Sequence, residues 1–417
     1  MSKADKLTII KKAISLLREN YIFPDKVTGV EKSLMAKYNS NEYEKGNSLE
    51  DFLAAINNDL EIATNDKHVN ISFGPDRVKQ IIKEKQNEGK TVPLSKEWRE
   101  RLEYENFRLR KVEWLDGNIG YFRFLNFVDL QVAKESIMGA MNFIRHSNAI
   151  ILDIRDNGGG SSETLNFVLS YFLKDKLKLG EFHFRKNNRV EEIRIKTDPL
   201  VKKVPDNVPV YVLVSNKTAS AAEGLAVTLQ SFKRATIIGE NTKGEGNPGE
   251  LFVINDQLYI LIPTAISVSA VQGTKPVQGN GVSPDIVIAP EKAMDKAMLE
   301  ICKTLAQNTT NRDLKQVYDW QVPVWESNIN PPQIPAEMKE NITGSFMDGR
   351  QVTFENGTFY YINKNNQKIK LFYYGNNVFG MEGKQFTRLK IPFYNKPIDF
   401  FDFFWDDGFV EKITRSN

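Results

Sequence analysis

Val208-Pro-Val-Tyr-Val-Leu-Val214, Ser215-Asn-Lys217 and Thr218-Ala-Ser-Ala-Ala-Glu223 follow one another without a break. The first is an apolar, β-branched run bounded by turn residues, which predicts a buried strand. The second is a turn signal. The third opens a helical pattern that continues through Leu225, Leu229 and Phe232. Ser220 therefore falls where a buried strand hands over to a helix. Two roles are open to a serine there. Ser220-x-x-Glu223 is a capping box, in which the hydroxyl satisfies orphan helix N–H groups. The same N–H groups would also stabilise negative charge developing beside an attacking Ser220 oxygen.

Upstream, Ala149-Ile-Ile-Leu-Asp-Ile154 runs into Arg155-Asp-Asn157 and the triplet Gly158-Gly159-Gly160. A glycine turn between a strand and a helix brings backbone N–H groups together around an anion or oxyanion. It lacks the Gly-Lys-Ser/Thr of a phosphate loop and the spacing of a dinucleotide turn. Between residues 119 and 238, strand and helix patterns alternate: 119–125, 131–145, 149–154, 163–173, 208–214, 221–232 and 236–238. That order predicts an α/β core with parallel strands. Beyond it, residues 239–249 form a glycine-rich loop, 251–254 and 258–262 a hairpin turned at Asn255-Asp256, and 291–306 a closing helix.

The N-terminal 75 residues read as helical, with Ser48 and the acidic Glu50 and Asp51 starting the last helix. Tyr21-Ile-Phe-Pro24 ends the first. The run Thr64-Asn-Asp-Lys-His68 then turns into a short alternating strand. Residues 76–117 are a charged, partly helical connector, 118–308 the core, 309–335 a linker and 336–417 a small antiparallel β module rich in period-two aromatics. Of three histidines, His146 suits a helix C-terminus and His183 a hairpin, whereas His68 has no evident structural task.

Lysine plus arginine (56) and aspartate plus glutamate (53) nearly cancel over the 417 residues. That balance argues against a nucleic-acid or membrane-surface role. Cys302 is the single cysteine, which excludes an intramolecular disulfide and a cysteine metal cluster. No run reaches membrane-spanning length. The start lacks the apolar core of a signal peptide. Oligomeric state is not readable from the chain.

The collinear set Asp66-Lys-His68, Asp153-Ile-Arg-Asp-Asn-Gly-Gly-Gly160, Thr218-Ala-Ser-Ala-Ala-Glu223, Gly239-Glu-Asn-Thr-Lys-Gly244, Asn247-Pro-Gly249 and Gly279-Asn-Gly-Val-Ser-Pro-Asp285 carries a resemblance. It resembles the serine peptidase family of tail-specific (C-terminal processing) proteases and the tricorn core protease. The branch similar to interphotoreceptor retinoid-binding protein is the nearer match. The resemblance implies a crotonase/ClpP-like core, peptide or protein substrates, and no metal or organic cofactor. It implies Ser220 as nucleophile, His68 as general base, and Gly159 with Ala221 as oxyanion hole. Gln278 stands where that branch commonly has an acid, and the lysine of a Ser–Lys dyad falls on Glu245. His68 is thus left with Gln278, Glu240 or Glu245 to orient it, or the chain is a weak or inactive member that binds an apolar ligand or a peptide. An acyl-CoA enzyme on the same core ranks last, for want of a basic nucleotide pocket. The resemblance leans towards export, periplasmic or extracellular, with a signal peptide removed from this sequence.

Overall fold

The computed structural model describes residues 1–46, 48–87 and 92–416. It divides into two units, Met1–Pro290 and Glu291–Asn417.

At the centre of the first unit lies a six-stranded sheet. Its order is Ile286–Val287, Thr236–Gly239, Val210–Val214, Ala149–Asp153, Ile119–Phe124 and Leu109–Leu115. The first five run parallel and the last is antiparallel to its neighbour. Ala149–Asp153 and Val210–Val214 are buried at every position, as continuous apolar runs in a two-sided parallel sheet require. Helices Leu130–Ile144, Ser162–Leu169 and Ala221–Ser231 supply the crossover connections, and their apolar faces pack with the strands into one core. The Leu109–Leu115 strand lies inside the stretch the sequence assigns to a connector.

A second core joins the N-terminal helices to distant chain. Helices Lys3–Asn20, Pro24–Asn39 and Leu49–Thr64 pack on a three-stranded sheet of Asn70–Phe73, Leu258–Pro263 and Gly249–Val253. Pro24 occupies the first turn of the second helix, where its missing N–H costs nothing, besides marking the end of the first. Ser48 caps the third by accepting the Asp51 N–H. A further antiparallel sheet pairs Ala265–Ser269 with Lys178–Phe184 and that with Val190–Arg194.

The second unit departs from the expected domain plan. Arg312–Ile329 is an 18-residue helix capped by Asn311, where the sequence suggests a linker over 309–335. It packs on Ala293–Asn308 through Cys302, Ala306, Tyr318 and Trp325. The helix expected to close the α/β core thus groups with the C-terminal unit. The punctuation at Asn328 to Pro335 marks only the helix end, because an amphipathic stripe with a proline inside it reads poorly at the sequence level. The remaining chain is an eight-stranded antiparallel meander in sequence order, from Gly344–Ser345 to Val410–Thr414. Its two ends meet at an antiparallel Phe346–Arg415 bridge. Phe346, Phe359, Tyr361, Phe379, Phe401 and Phe403 fill the interior. No described helix is long and apolar enough to cross a membrane.

Candidate active site

Parallel strands deliver their following loops to one edge of a sheet. Ala149–Asp153, Val210–Val214 and Thr236–Gly239 are neighbours, so the glycine turn, the Ser220 turn and the 240–248 loop leave the same edge side by side. Hydrogen bonds fix their relative height. Ile154 N–H donates to Leu213 O at 3.0 Å, Ala219 N–H to Asn157 O at 3.0 Å, and Lys243 N–H to Thr218 O at 3.0 Å. The Thr218 hydroxyl crosses to Ile154 O at 2.9 Å.

Below the glycine turn, Asp153 is fully buried and accepts from Arg155 Nε at 2.9 Å and from Tyr121 Oη at 2.6 Å. Burial pushes its carboxyl up, but the hydrogen bonds and charge of Arg155 outweigh that and hold it below the usual carboxylate range. Arg155 in turn donates to Pro290 O at 2.6 Å.

Ser220 sits at φ 54° and ψ −122°, a region L-residues rarely occupy. Strain of this kind concentrates at functional turns between strand and helix. Gly159, at φ +96°, lies directly against it. A side-chain carbon added at Gly159 would fall 2.7 Å from Ser220 Cβ and 3.0 Å from Ala221 N. Only glycine allows that approach. Ala221 is the first helical residue, so its N–H has no intrahelical acceptor. The Gly159 N–H itself donates to the Asn157 side-chain oxygen at 2.8 Å.

Glu223 ties the loops together. Its fully buried carboxylate accepts from Ser220 N–H (2.9 Å), Thr242 Oγ1 (2.5 Å), Gly244 N–H (2.7 Å) and Glu245 N–H (2.7 Å). Sequence reasoning reads Glu223 only as half of a capping box. Its links to residues 242–245 cross 19 to 22 positions and have no local signature.

His68 arrives from the other core. Its strand, Asn70–Phe73, pairs with Leu258–Pro263, which follows the loop carrying Glu245. Asp66, also buried, accepts the His68 backbone N–H at 3.1 Å and the Tyr21 hydroxyl at 3.0 Å. Burial and the Asp66 charge push the Tyr21 phenol well up, so it stays a donor. His68 Nε2 lies 3.7 Å from Glu245 Oε2, both side chains being buried, while His68 Nδ1 has no hydrogen-bond partner among the described residues. The other Glu245 oxygen is 2.6 Å from Lys243 Nζ.

Gln278 is placed differently. Its amide oxygen accepts the Asn247 N–H at 3.0 Å, and no bond joins it to His68 among the described residues. Gly246 lets this segment close in, because a side-chain carbon there would meet Val277 Cβ at 2.6 Å. Glu240 likewise makes no described ion pair with His68; its N–H donates to Val214 O at 3.4 Å. Of the three groups open in the sequence, Glu245 is the one beside the histidine. No group of three or more His, Cys, Asp or Glu side chains suited to a metal ion occurs among the described residues.

Residues 118–288 match peptidase family S41, and residues 3–108 match the N-terminal domain of Peptidase S41 in eukaryotic IRBP. The chain is 32% identical over 186 residues to a carboxy-terminal-processing protease of Bartonella bacilliformis, covering 43% of this chain and 41% of that one. It is 28% identical over 205 residues to carboxyl-terminal-processing peptidase 1, chloroplastic, of Arabidopsis thaliana, covering 49% and 40%. Less than half the length of either relative is therefore spanned. Among solved structures, the photosystem II D1 C-terminal processing protease superposes at a TM-score of 0.40 with 16% identity, over 70% of this chain and 94% of that one.

Proposed function

From the match of residues 118–288 to peptidase family S41 and of residues 3–108 to that family's N-terminal domain, we propose that this chain is a serine-type peptidase acting through an acyl-enzyme on Ser220. The observation that carries the reading is the packing of Gly159 against Ser220 and the Ala221 N–H at a strained helix start. In this mechanism the Ser220 oxygen attacks the scissile carbonyl carbon and His68 takes its proton. The carbonyl oxygen gains charge beside the Ala221 N–H, a fixed donor at the helix start, with the Gly159 backbone packed against it while its own N–H is held by Asn157. The amine departs with the proton from His68, and water then hydrolyses the ester.

Glu245 is the positioning residue of this reading. Its Oε2 lies 3.7 Å from His68 Nε2, beyond hydrogen-bond length; in this mechanism the pair shortens as the ring becomes an imidazolium. The lysine of a Ser–Lys dyad is absent at that place, and Lys243 is bound instead to Glu245.

A fluorophosphonate, followed by intact mass and peptide mapping, tests the assignment. Wild type gains one adduct on Ser220; Ser220→Ala and His68→Ala gain none. Glu245→Gln labels and cleaves more slowly by about 10²- to 10⁴-fold, the upper figure being that of an acid-to-amide change in another serine protease. Gln278→Glu brings no gain, since its side chain is held by Asn247. Labelling of folded protein at another residue, or none at all, would overturn the peptidase reading and favour a binding protein.

A further inference from the structure

One face of the C-terminal meander carries Arg388, Lys390 and Asp402, which form no ion pair among the described residues. Strand registers place Val378 opposite Lys390, Gly380 opposite Arg388, Lys390 opposite Asp402, and Arg388 opposite Phe404. Opposed residues share a face, so Arg388, Lys390, Asp402 and Phe404 stand on one side of two strands. The alternate residues Phe379, Leu389 and Phe403 point into the core. Helix Arg312–Ile329 roofs this face through Trp320, whose indole N–H donates to Gln385 O at 2.8 Å.

Under that roof Arg388 is almost completely buried. Its guanidinium lies 4.0 Å from the centre of the Trp320 ring and donates to the Trp320 carbonyl. No carboxylate pairs with it among the described residues. Burial pushes the guanidinium down to about 10, the mark of a cation lacking a counter-ion. Asp402 has one buried oxygen, Oδ1, without a hydrogen-bond partner among the described residues. Both residues line a cavity of about 470 Å³, together with Lys390, Tyr374, Phe404 and Val410. A purely structural role for Arg388, pinning the helix, accounts for its contact with Trp320. It does not account for the space, the unpaired Asp402 oxygen or the adjoining Lys390. Small-molecule sites combine apolar walls with a few converging polar groups in this size range.

We propose that this cavity binds a zwitterionic α-amino acid with a large apolar side chain. Its carboxylate meets Arg388 and Lys390, its ammonium meets Asp402, and its side chain lies against Tyr374, Phe404 and Val410. The argument is charge complementarity: one small ligand satisfies the buried cation and the unpaired carboxylate oxygen at once. All residues lining the site belong to the second unit.

Calorimetric titration of the full chain with L-phenylalanine, N-acetyl-L-phenylalanine and L-phenylalaninamide tests it. L-Phenylalanine binds with one site, and blocking either end weakens binding by at least about tenfold, or ~1.4 kcal/mol. Asp402→Asn removes the penalty for the acetyl group by weakening the free amino acid, and Arg388→Gln removes that for the amide. Ser220→Ala binds as wild type does. Should Arg388→Gln not fold, Asp402→Asn and Lys390→Ala decide the matter, both lying outside the closed core. Absence of heat at about 10 mM ligand, equal binding of all three compounds, or binding unchanged in Asp402→Asn overturns the proposal.

Discussion

Glu223 concentrates the site's electrostatics in one side chain. A fully buried carboxylate is costly unless its oxygens are satisfied, and here four donors satisfy them. Three of those donors are backbone N–H groups, so none can turn away if the acceptor changes. In Glu223→Gln the amide NH₂ faces N–H groups, leaving buried donors unpaired at about 1–3 kcal/mol each. The expected outcome is a loss of several kcal/mol in urea unfolding. Fluorophosphonate labelling of Ser220 also slows, by at least about tenfold, under conditions where the variant is still folded. A folded Glu223→Gln protein labelled at the wild-type rate would show that Glu223 serves stability alone. Ser220 and Glu223 are legible in the sequence because a strand, a turn and a helix start are local signals. Glu245 at His68 is legible only as one of three candidates, because the contact joins residues 68 and 245 through a sheet that no local pattern announces.

At the level of elements, adjacent parallel strands set where the loops can meet. Strand Ala149–Asp153 ends in a buried acid that accepts hydrogen bonds from Arg155, just before the glycine turn, and from Tyr121. Its depressed carboxyl pKa gives the sign of the pH effect. The stabilisation is complete above the unfolded-state pKa of about 3.9 and is lost as pH falls through the lower folded-state value. Asp153→Asn is therefore less stable than wild type by a constant margin between about pH 5 and 8, and that margin shrinks below about pH 4. Urea titrations across this range check it; an equal margin at about pH 3 and at neutrality would remove Asp153 from the acid response. The hairpin of Gly249–Val253 and Leu258–Pro263 was legible from its alternation and its Asn255-Asp256 turn. Its partner strand, Asn70–Phe73, was not, because strand pairing over nearly two hundred residues leaves no mark in either segment.

For the whole molecule, the two units have separate cores, and all residues of the candidate active site belong to the first. Phe379 is fully buried among aromatic neighbours of the second. Truncating it in Phe379→Ala removes about 3–5 kcal/mol from that unit. Scanning calorimetry is expected to show one transition lowered, with Ser220 labelling at room temperature unchanged. A variant that loses labelling while its first unit remains folded would show that the second unit supports the site.

The sequence by itself determined the α/β class, the strand–turn–helix around Ser220, the glycine turn before it and the aromatic core of the C-terminal module. Each of these rests on hydrophobic period or turn chemistry, which act over a few residues. Only the tertiary structure decided that Glu245 stands beside His68 while Gln278 bonds to Asn247, and that residues 312–329 form a helix of the second unit. The physical reason is the same in each case. Which side chains meet depends on how sheets and helices bury their faces together, and that free energy belongs to packing between segments.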